Sequence, residues 1–313
     1  MSRQRVVVQG LGVIGRRIAE AALGEPVLDL VGAVDPALAG RRLAELVPGA
    51  PPLAVHATLG DAPPAAVVLH ATGSSLAGVA AQLFEAIDRG AHVVSTCEEL
   101  AHPFVRHPEL ARELDARAAA AAVTVVGTGV NPGFVMDRLA ATAAAASWDV
   151  RAVRIERLVD PRPRRRQFQE KVAFGLARAE AERRLASGRF GHVGLRESGE
   201  LLVRALGWAI DAWEETVELQ QPDAAEPCTG LVQRLRGRTR DGRSVELDFA
   251  AHAGVAESSD RITIDGRPPL ELHVPGGVAG EDATAATVVS AARVLGSAPR
   301  GLVTVLDLPL RAR

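Results

Sequence analysis

Val6-Val7-Val8-Gln9-Gly10-Leu11-Gly12-Val13-Ile14-Gly15-Arg16-Arg17-Ile18-Ala19-Glu20-Ala21-Ala22 decides the fold. A β-branched run enters a Gly-x-Gly-x-x-Gly turn and leaves it as a helical segment. Gly10 allows the tight turn, Gly12 keeps side-chain atoms away from a pyrophosphate, and Gly15 permits close packing of helix on strand. The helix opening at Val13 and Ile14 offers backbone N–H groups to a phosphate. The glycine spacing alone is a weak signal; the strand before it and the helix after it point to a dinucleotide. Asp35 lies twenty residues past Gly15, at the end of the run Leu28–Val34. An acid there accepts hydrogen bonds from ribose hydroxyls and repels a 2′-phosphate, which favours NAD, with NADP as the other dinucleotide the reading admits. Asp35 could instead cap a turn. Arg41 and Arg42 follow it closely and could pair with a phosphate or lie on a solvated face.

Outward from this motif, short apolar runs alternate with Ala/Leu-rich segments. The runs Arg5–Gln9, Leu28–Val34, Val67–Ala71, His92–Thr96 and Val123–Gly127 read as buried parallel strands. Helices are expected near Ile14–Leu23, Leu76–Arg89 and Pro108–Ala119, with another beginning at Phe134. This is the rhythm of an α/β, Rossmann-type doubly wound parallel sheet. The stretch between Asp35 and Pro64 is broken by Pro and Gly and resists placement. After residue 133 the pattern changes to a second α+β domain with a mostly antiparallel sheet. Its strands are expected at Val150–Val159, Glu214–Leu219, Gly230–Thr239, Ser244–His252, Arg261–Ile264 and Leu270–Val274. Helices are expected at Leu176–Ala186 and Glu197–Ile210, and turns at Asp241-Gly242 and Asp265-Gly266. The tail, with a helix at Glu281–Leu295 and a strand at Gly301–Val305, returns to the first domain. The expected division is 1–133, 134–278 and 279–313, with a cleft shared by the two domains.

Composition narrows the chemistry. The chain has 313 residues, 47% of them hydrophobic and 24% charged, enough to bury a core. Lys171 is its single lysine, and it has no tyrosine, which excludes a tyrosine–lysine catalytic pair. A net charge of −2 disfavours bulk nucleic-acid binding, and the arginines of 162–166 sit between prolines without a recognition helix. Two cysteines, Cys97 and Cys228, rule out a disulfide scaffold and a four-cysteine metal site, and no HExxH occurs; no metal is expected. The absence of a signal-like start and of a long apolar run leads to the expectation of a cytoplasmic protein without a membrane segment.

Three further segments carry candidate site residues. Ala71-Thr72-Gly73-Ser74-Ser75 is a small-residue loop after a strand, so Thr72 and Gly73 are candidate cofactor contacts, though a serine there could simply cap the next helix. Ser95-Thr96-Cys97-Glu98-Glu99 places Thr96 beside the cofactor and two carboxylates at a strand's carboxyl end, where this fold builds its sites. Gly129-Val130-Asn131-Pro132-Gly133 places Asn131 and Pro132 where a carboxamide or substrate could be met. In the second domain, Lys171 could hold a substrate carboxylate, or form a surface ion pair. Phe168 and Phe174 could line a pocket or pack in a core, and His192 lies in a loop.

The segments Val93–Leu100 and Val126–Asp137, with the N-terminal glycine motif, resemble the 2,4-diaminopentanoate dehydrogenase family and the native amine dehydrogenases. These belong to the wider dihydrodipicolinate reductase-like group. The resemblance spans essentially the whole chain. It implies an NAD(P)-binding domain, a second domain making subunit contacts in a homodimer, and reversible oxidative deamination of an amine, possibly a 2,4-diamino acid, to a ketone and ammonia. The acid after the strand His92–Thr96 would handle the ammonium proton. That role falls on Glu98, with Glu99 as the second match, and Asn131-Pro132-Gly133 would lie beside the nicotinamide. Dihydrodipicolinate reductase itself is a poor match because its paired histidines are absent. A homoserine dehydrogenase would need a lysine where Glu98 stands. A reductase or dehydrogenase of a carbonyl or hydroxy acid, and a catalytically silent NAD-binding regulator, are the competing readings.

Overall fold

The computed structural model describes residues 3–186, 190–223 and 226–310. The chain forms two compact units, one of residues 1–134 with 279–313 and the other of Val135–Val278.

The first unit holds strands β1 (Gln4–Gln9), β2 (Leu28–Val34), β3 (Val55–His56), β4 (Val67–His70), β5 (His92–Ser95) and β6 (Thr124–Gly127), with helices α1 (Val13–Leu23), α2 (Leu76–Asp88) and α3 (Pro108–Ala120). The second unit holds α4 (Arg138–Ala144), β7 (Trp148–Val159), α5 (Arg166–Lys171), α6 (Arg178–Ala186) and α7 (Leu195–Leu206). Its remaining strands are β8 (Ala212–Gln220), β9 (Gly230–Arg238), β10 (Ser244–His252), β11 (Ser259–Arg267) and β12 (Leu270–Pro275). Helix α8 (Gly280–Val294) and strand β13 (Gly301–Val303) return to the first unit.

The first sheet has the order β13-β6-β5-β4-β1-β2-β3, and all its pairs are parallel. Its inner strands are apolar and buried on both faces, as Val6, Val7, Val8, Val67, Val68 and Leu69 show. Burial on both faces explains why these strands read as continuous apolar runs. The sequence winds one way from β1 to β2 and β3 and the other way to β4, β5 and β6. The switch point therefore lies between the carboxyl ends of β1 and β4, where this fold leaves a crevice for a ligand. Helix α8 packs against α1, and its Thr284 Oγ1 accepts the Val130 N–H at 3.2 Å. Asp115 of α3 accepts the Leu302 N–H at 2.8 Å and so pins β13. The stretch 35–64 is held by short 3₁₀ turns and backbone bonds such as Leu43 N–H to Leu53 O, with little regular structure.

The second sheet has the order β12-β11-β7-β10-β9-β8 and is antiparallel except for β7 on β10. Three expectations fail in this unit. The helix expected to reach Ile210 stops at Leu206, where Gly207 takes φ +66°. The turn expected at Asp265-Gly266 lies within β11: the strand bulges there against β7 and continues to Arg267, and the reversal falls at Pro268-Pro269, which cannot donate to a ladder. The helix expected from Phe134 starts at Arg138, because Asp137 caps it by accepting the Arg138 N–H. Asp137 also accepts from the buried Ser198 hydroxyl of α7 at 2.9 Å.

The second unit ends on a buried ion pair. Arg157 of β7 donates to both carboxylate oxygens of Asp260 on β11 at 2.8 Å, and to the Val278 carbonyl at 2.9 Å. Asp260 in turn accepts the Val278 N–H at 2.7 Å. Both charges are at least nine-tenths buried, so removing either partner would leave the other stranded, a loss on the order of 3–5 kcal/mol in comparable pairs. The pair fixes the last residue of the unit to two strands of its sheet. Among the described residues no helix is long and apolar enough to cross a membrane.

Candidate cofactor and active site

Three glycines of the first turn answer to different constraints. Gly10 has φ +90°, and a Cβ on it would stand 2.6 Å from the Ala71 carbonyl oxygen. A Cβ on Gly15 would stand 1.7 Å from the Gly10 carbonyl oxygen. Those two are demanded by the fold itself. Gly12 is not: its φ is −64°, and a Cβ there would meet nothing within 4 Å. The open space above Gly12 is the room a diphosphate needs. It adjoins the start of α1, whose first turn carries no acidic residue and no side-chain cap, so its N–H groups remain available to an anion.

A cavity of about 440 Å³ opens here, lined from the first unit by the ends of β1, β2 and β4, by 57–59 and by α2. Asp35 lies on its wall. One carboxylate oxygen accepts the Leu11 N–H at 2.8 Å and the other accepts the Ala37 N–H at 3.0 Å. Asp35 therefore caps a turn and also braces the glycine loop. Arg41 pairs with Glu45 on the surface and is not part of the cavity wall, nor is Arg42. Val13 is partly exposed at the helix start, with Ile14 beside it. Thr72 also lines the cavity, and Gly73 follows it with Val79 3.1 Å from a would-be Cβ.

Behind Thr72 lies a polar network that sequence reading missed. His70, fully buried at the end of β4, contacts Ser95 Oγ through Nδ1 at 2.8 Å. Its Nε2 contacts Gln82 Oε1 and Thr72 Oγ1, both at 2.8 Å. Ser95 Oγ accepts the Cys97 N–H at 3.0 Å, and because Gln82 Oε1 can only accept from Nε2, the hydrogen between Ser95 and His70 Nδ1 is the serine's. Nε2 then carries the imidazole proton. Burial lowers the His70 pKa, partly offset by the bond to Gln82, in keeping with a neutral ring. Pairwise signals along the chain could not reveal this cluster, since it joins β4, β5 and α2.

The carboxyl end of β5 places the paired acids. Thr96 donates its N–H to the His70 carbonyl. Glu98 and Glu99 open a 3₁₀ turn at Glu98–Ala101. Glu99 Oε2 accepts the Leu76 N–H at 2.7 Å and contacts His107 Nε2 at 2.9 Å. It thereby caps α2, a task that Ser75 at the N-cap position does not perform with its side chain. Glu98 has one carboxylate oxygen, Oε2, buried. Burial pushes the neighbouring Cys97 thiol up to about 12, and its sulfur donates to the Ser74 carbonyl, so it is no nucleophile. After β6 the backbone closes tightly: a Cβ on Gly127 would stand 2.5 Å from Leu100, and one on Gly133 would stand 2.5 Å from the Gly129 nitrogen. Asn131 and the cis Asn131–Pro132 bond lie in this loop, both residues buried. Gly10, Thr72, Glu98 and Asn131 thus follow the carboxyl ends of four adjacent strands.

The second-unit candidates form a separate group. Phe168 and Lys171 lie on α5, and the Arg164 guanidinium covers the Phe168 ring at 4.9 Å. Phe174 is half-buried beyond the helix end. The Lys171 carbonyl accepts the Gly191 N–H at 3.1 Å, which brings α5 to the His192 segment. The His192 N–H donates to Gln233 Oε1 at 2.8 Å, and its ring lies 4.8 Å from that of Phe249. Burial, and then the positive charges of Lys171 and Arg157, hold its pKa well below the usual value.

Residues 134–222 match the family model described as the 2,4-diaminopentanoate dehydrogenase C-terminal domain. The chain is similar to 2,4-diaminopentanoate dehydrogenase. The relative, from Acetoanaerobium sticklandii, is 26% identical over 99% of this chain and 94% of its own. An amine dehydrogenase structure from Mycobacterium smegmatis superposes with a TM-score of 0.87 at 24% identity, covering 100% of this chain and 98% of that one. GenD2 from gentamicin A biosynthesis, solved in complex with NAD, gives a TM-score of 0.57 at 22% identity over 88% of this chain and 73% of its own. The family resemblance drawn from the motifs extends across the chain, and the fold is that of known dehydrogenases.

Two expected outcomes follow from these local environments. Gly12→Ala should keep wild-type thermal stability, because its Cβ meets no protein atom, yet weaken NADH binding by about tenfold or more in a fluorescence titration. Gly15→Ala should instead lower the melting temperature, since a backbone oxygen must move. For pH, His70 and His192 both have folded pKa values below the ordinary 6.5. Between the folded and unfolded values the unfolded chain binds more protons, so stability falls as pH drops below about 6.5. Melting scans from pH 8 to 5 should show that decline, and replacing His192 by Asn should make it shallower.

Proposed function

We propose that the chain is an NAD(P)-dependent amine dehydrogenase, converting a primary amine, the cofactor and water to a ketone, ammonia and the reduced cofactor, and reversibly so. The observation that carries it is an acid, Glu98, at the carboxyl end of β5, in the same unit as a dinucleotide cradle. The similarity to 2,4-diaminopentanoate dehydrogenase over nearly the whole chain supplies the reaction class.

Bound in the first unit, the cofactor supplies the acceptor for the hydride that the amine carbon loses. Glu98 takes the proton of the substrate ammonium, which frees the nitrogen lone pair to stabilise the cation developing at carbon. Water adds to the resulting iminium carbon, and ammonia departs. In the reverse direction the Glu98 carboxyl protonates the carbinolamine oxygen as it leaves as water. Glu99 holds the turn through α2 and His107 and so positions Glu98. Asn131 is assigned to the nicotinamide carboxamide or the substrate. The Asp35 carboxylate on the cavity wall favours NAD over NADP. Lys171, with Phe168, Phe174 and His192, is assigned to the polar end and body of the substrate. The reading extends to a cytoplasmic homodimer, and a single-copy mass in light scattering would remove that part of it.

The test is NADH and NADPH oxidation with ketones, among them 2-amino-4-oxopentanoate, cyclohexanone and short aliphatic ketones, each with and without ammonium. Oxidation that depends on ammonium is expected. Glu98→Gln should lower kcat by about 10²–10⁴-fold while NADH still binds. Lys171→Ala should raise KM for the carboxylate-bearing ketone and leave the neutral ketones unchanged. Oxidation without ammonium would make the enzyme a carbonyl reductase, and cofactor binding with no turnover of any ketone would favour a silent regulator.

A further inference from the structure

The polar groups on the cavity wall are not equally engaged. Both Asp35 oxygens accept backbone N–H groups. The Thr58 hydroxyl donates to Asp61 at 2.7 Å, and the Thr72 hydroxyl lies between His70 and Gln82. The Gln82 amide oxygen receives two donors, His70 Nε2–H at 2.8 Å and Thr72 O–H at 2.5 Å. With its oxygen turned to those donors, the amide nitrogen is turned away, and it has no partner among the described residues. Glu85 follows three residues later on α2, also on the wall, and its carboxylate likewise has no partner among the described residues. Residues three apart on a helix are neighbours on one face. Val34, Pro36, Leu59 and Ala71 supply apolar wall to the same cavity.

A donor and an acceptor side by side, with apolar surface around them, fit an edge of adenine. Adenine shows a ring nitrogen acceptor next to its 6-amino donor, on both the N1 and the N7 side. We infer that Gln82 and Glu85 read the adenine base, Gln82 donating its amide N–H to a ring nitrogen and Glu85 accepting from the 6-amino group, with His70 and Thr72 as positioning residues that fix the amide. This rests on reading the cavity as the seat of the adenosine half of NAD(P). The pair also selects against other bases. Hypoxanthine carries an oxygen in place of the 6-amino group. On the N7 side that oxygen would face the Glu85 carboxylate; on the N1 side the donor–acceptor order is reversed. Buried or half-buried polar groups left without their partners make such a mismatch costly.

The experiment is isothermal titration of the purified protein with NADH and with reduced nicotinamide hypoxanthine dinucleotide, which differs only at that position. The wild-type protein should bind the hypoxanthine analogue about tenfold or more weakly than NADH. Glu85→Gln, which can donate to the new oxygen, should shrink the difference to about threefold or less. Thr72→Val removes one of the two donors that orient Gln82 while keeping the side chain's shape, and should narrow the difference in part. Equal affinity of the wild-type protein for both dinucleotides would overturn the pair and leave the cofactor site standing. Unchanged discrimination in Glu85→Gln would also overturn it. Failure to bind either dinucleotide would instead overturn the reading of the cavity on which the pair rests.

Discussion

A backbone oxygen 1.7 Å from where a Cβ on residue 15 would stand leaves α1 no freedom in how it meets β1. The turn at Gly10 must fold back under the helix, and the Ala71 carbonyl closes the other side at 2.6 Å. This three-way approach of β1, α1 and the end of β4 occurs at the switch point of the sheet. Asp35 then ties the end of β2 to the same loop through the Leu11 N–H. The β1–α1 turn and the ends of β2 and β4, three segments apart in sequence, are thereby brought together. The cavity is a consequence of that fixation, because the one glycine of the motif that the protein does not itself crowd, Gly12, faces open space.

The same economy explains the division of labour between the two adjacent acids after β5. A helix start needs acceptors for its first N–H groups, and α2 has no side-chain cap of its own. Glu99 meets that need from outside the helix and is held further by His107. An acid so engaged is poorly placed to exchange protons with a substrate. Its neighbour on the 3₁₀ turn, Glu98, is the one whose role is chemical in the proposed mechanism. The sequence reading put Glu98 first and kept Glu99 as the second match, and the turn shows what Glu99 holds instead.

The parallel strands were legible to within about a residue, and for a physical reason. Strands buried on both faces need apolar residues on both, and β1, β2, β4, β5 and β6 each carry a buried Val/Leu-rich stretch with polar residues mainly at their ends. The stretch 35–64 was illegible because its turns are held by backbone bonds that impose no periodicity on side chains. The β11–β12 reversal was misplaced because Asp265-Gly266 carries a strong turn signal in isolation, while pairing with β7 keeps those residues in the strand as a bulge. Similarly, Phe134 looked like a helix start until Asp137 proved to be the cap. Local chemistry proposes such features, and long-range pairing decides among them.

The site divides along the same line. Residues whose candidate role is written in local spacing, such as Gly10, Gly12, Gly15 and Asp35, were singled out from the chain alone, and Gly10, Gly12 and Asp35 line the cavity. His70, Ser95, Gln82 and Glu85 were not, since each is an ordinary polar residue until β4, β5 and α2 are brought together. Their arrangement carries information that a motif cannot. A buried neutral imidazole is a costly element unless both nitrogens are satisfied, and here both are. Satisfying them fixes the direction of Ser95 and of the Gln82 amide as well. With Gln82 Oε1 engaged by His70 and Thr72, the amide NH2 group is left beside the cavity. Specificity at such a site comes less from the group that touches the ligand than from the buried groups that prevent it from turning.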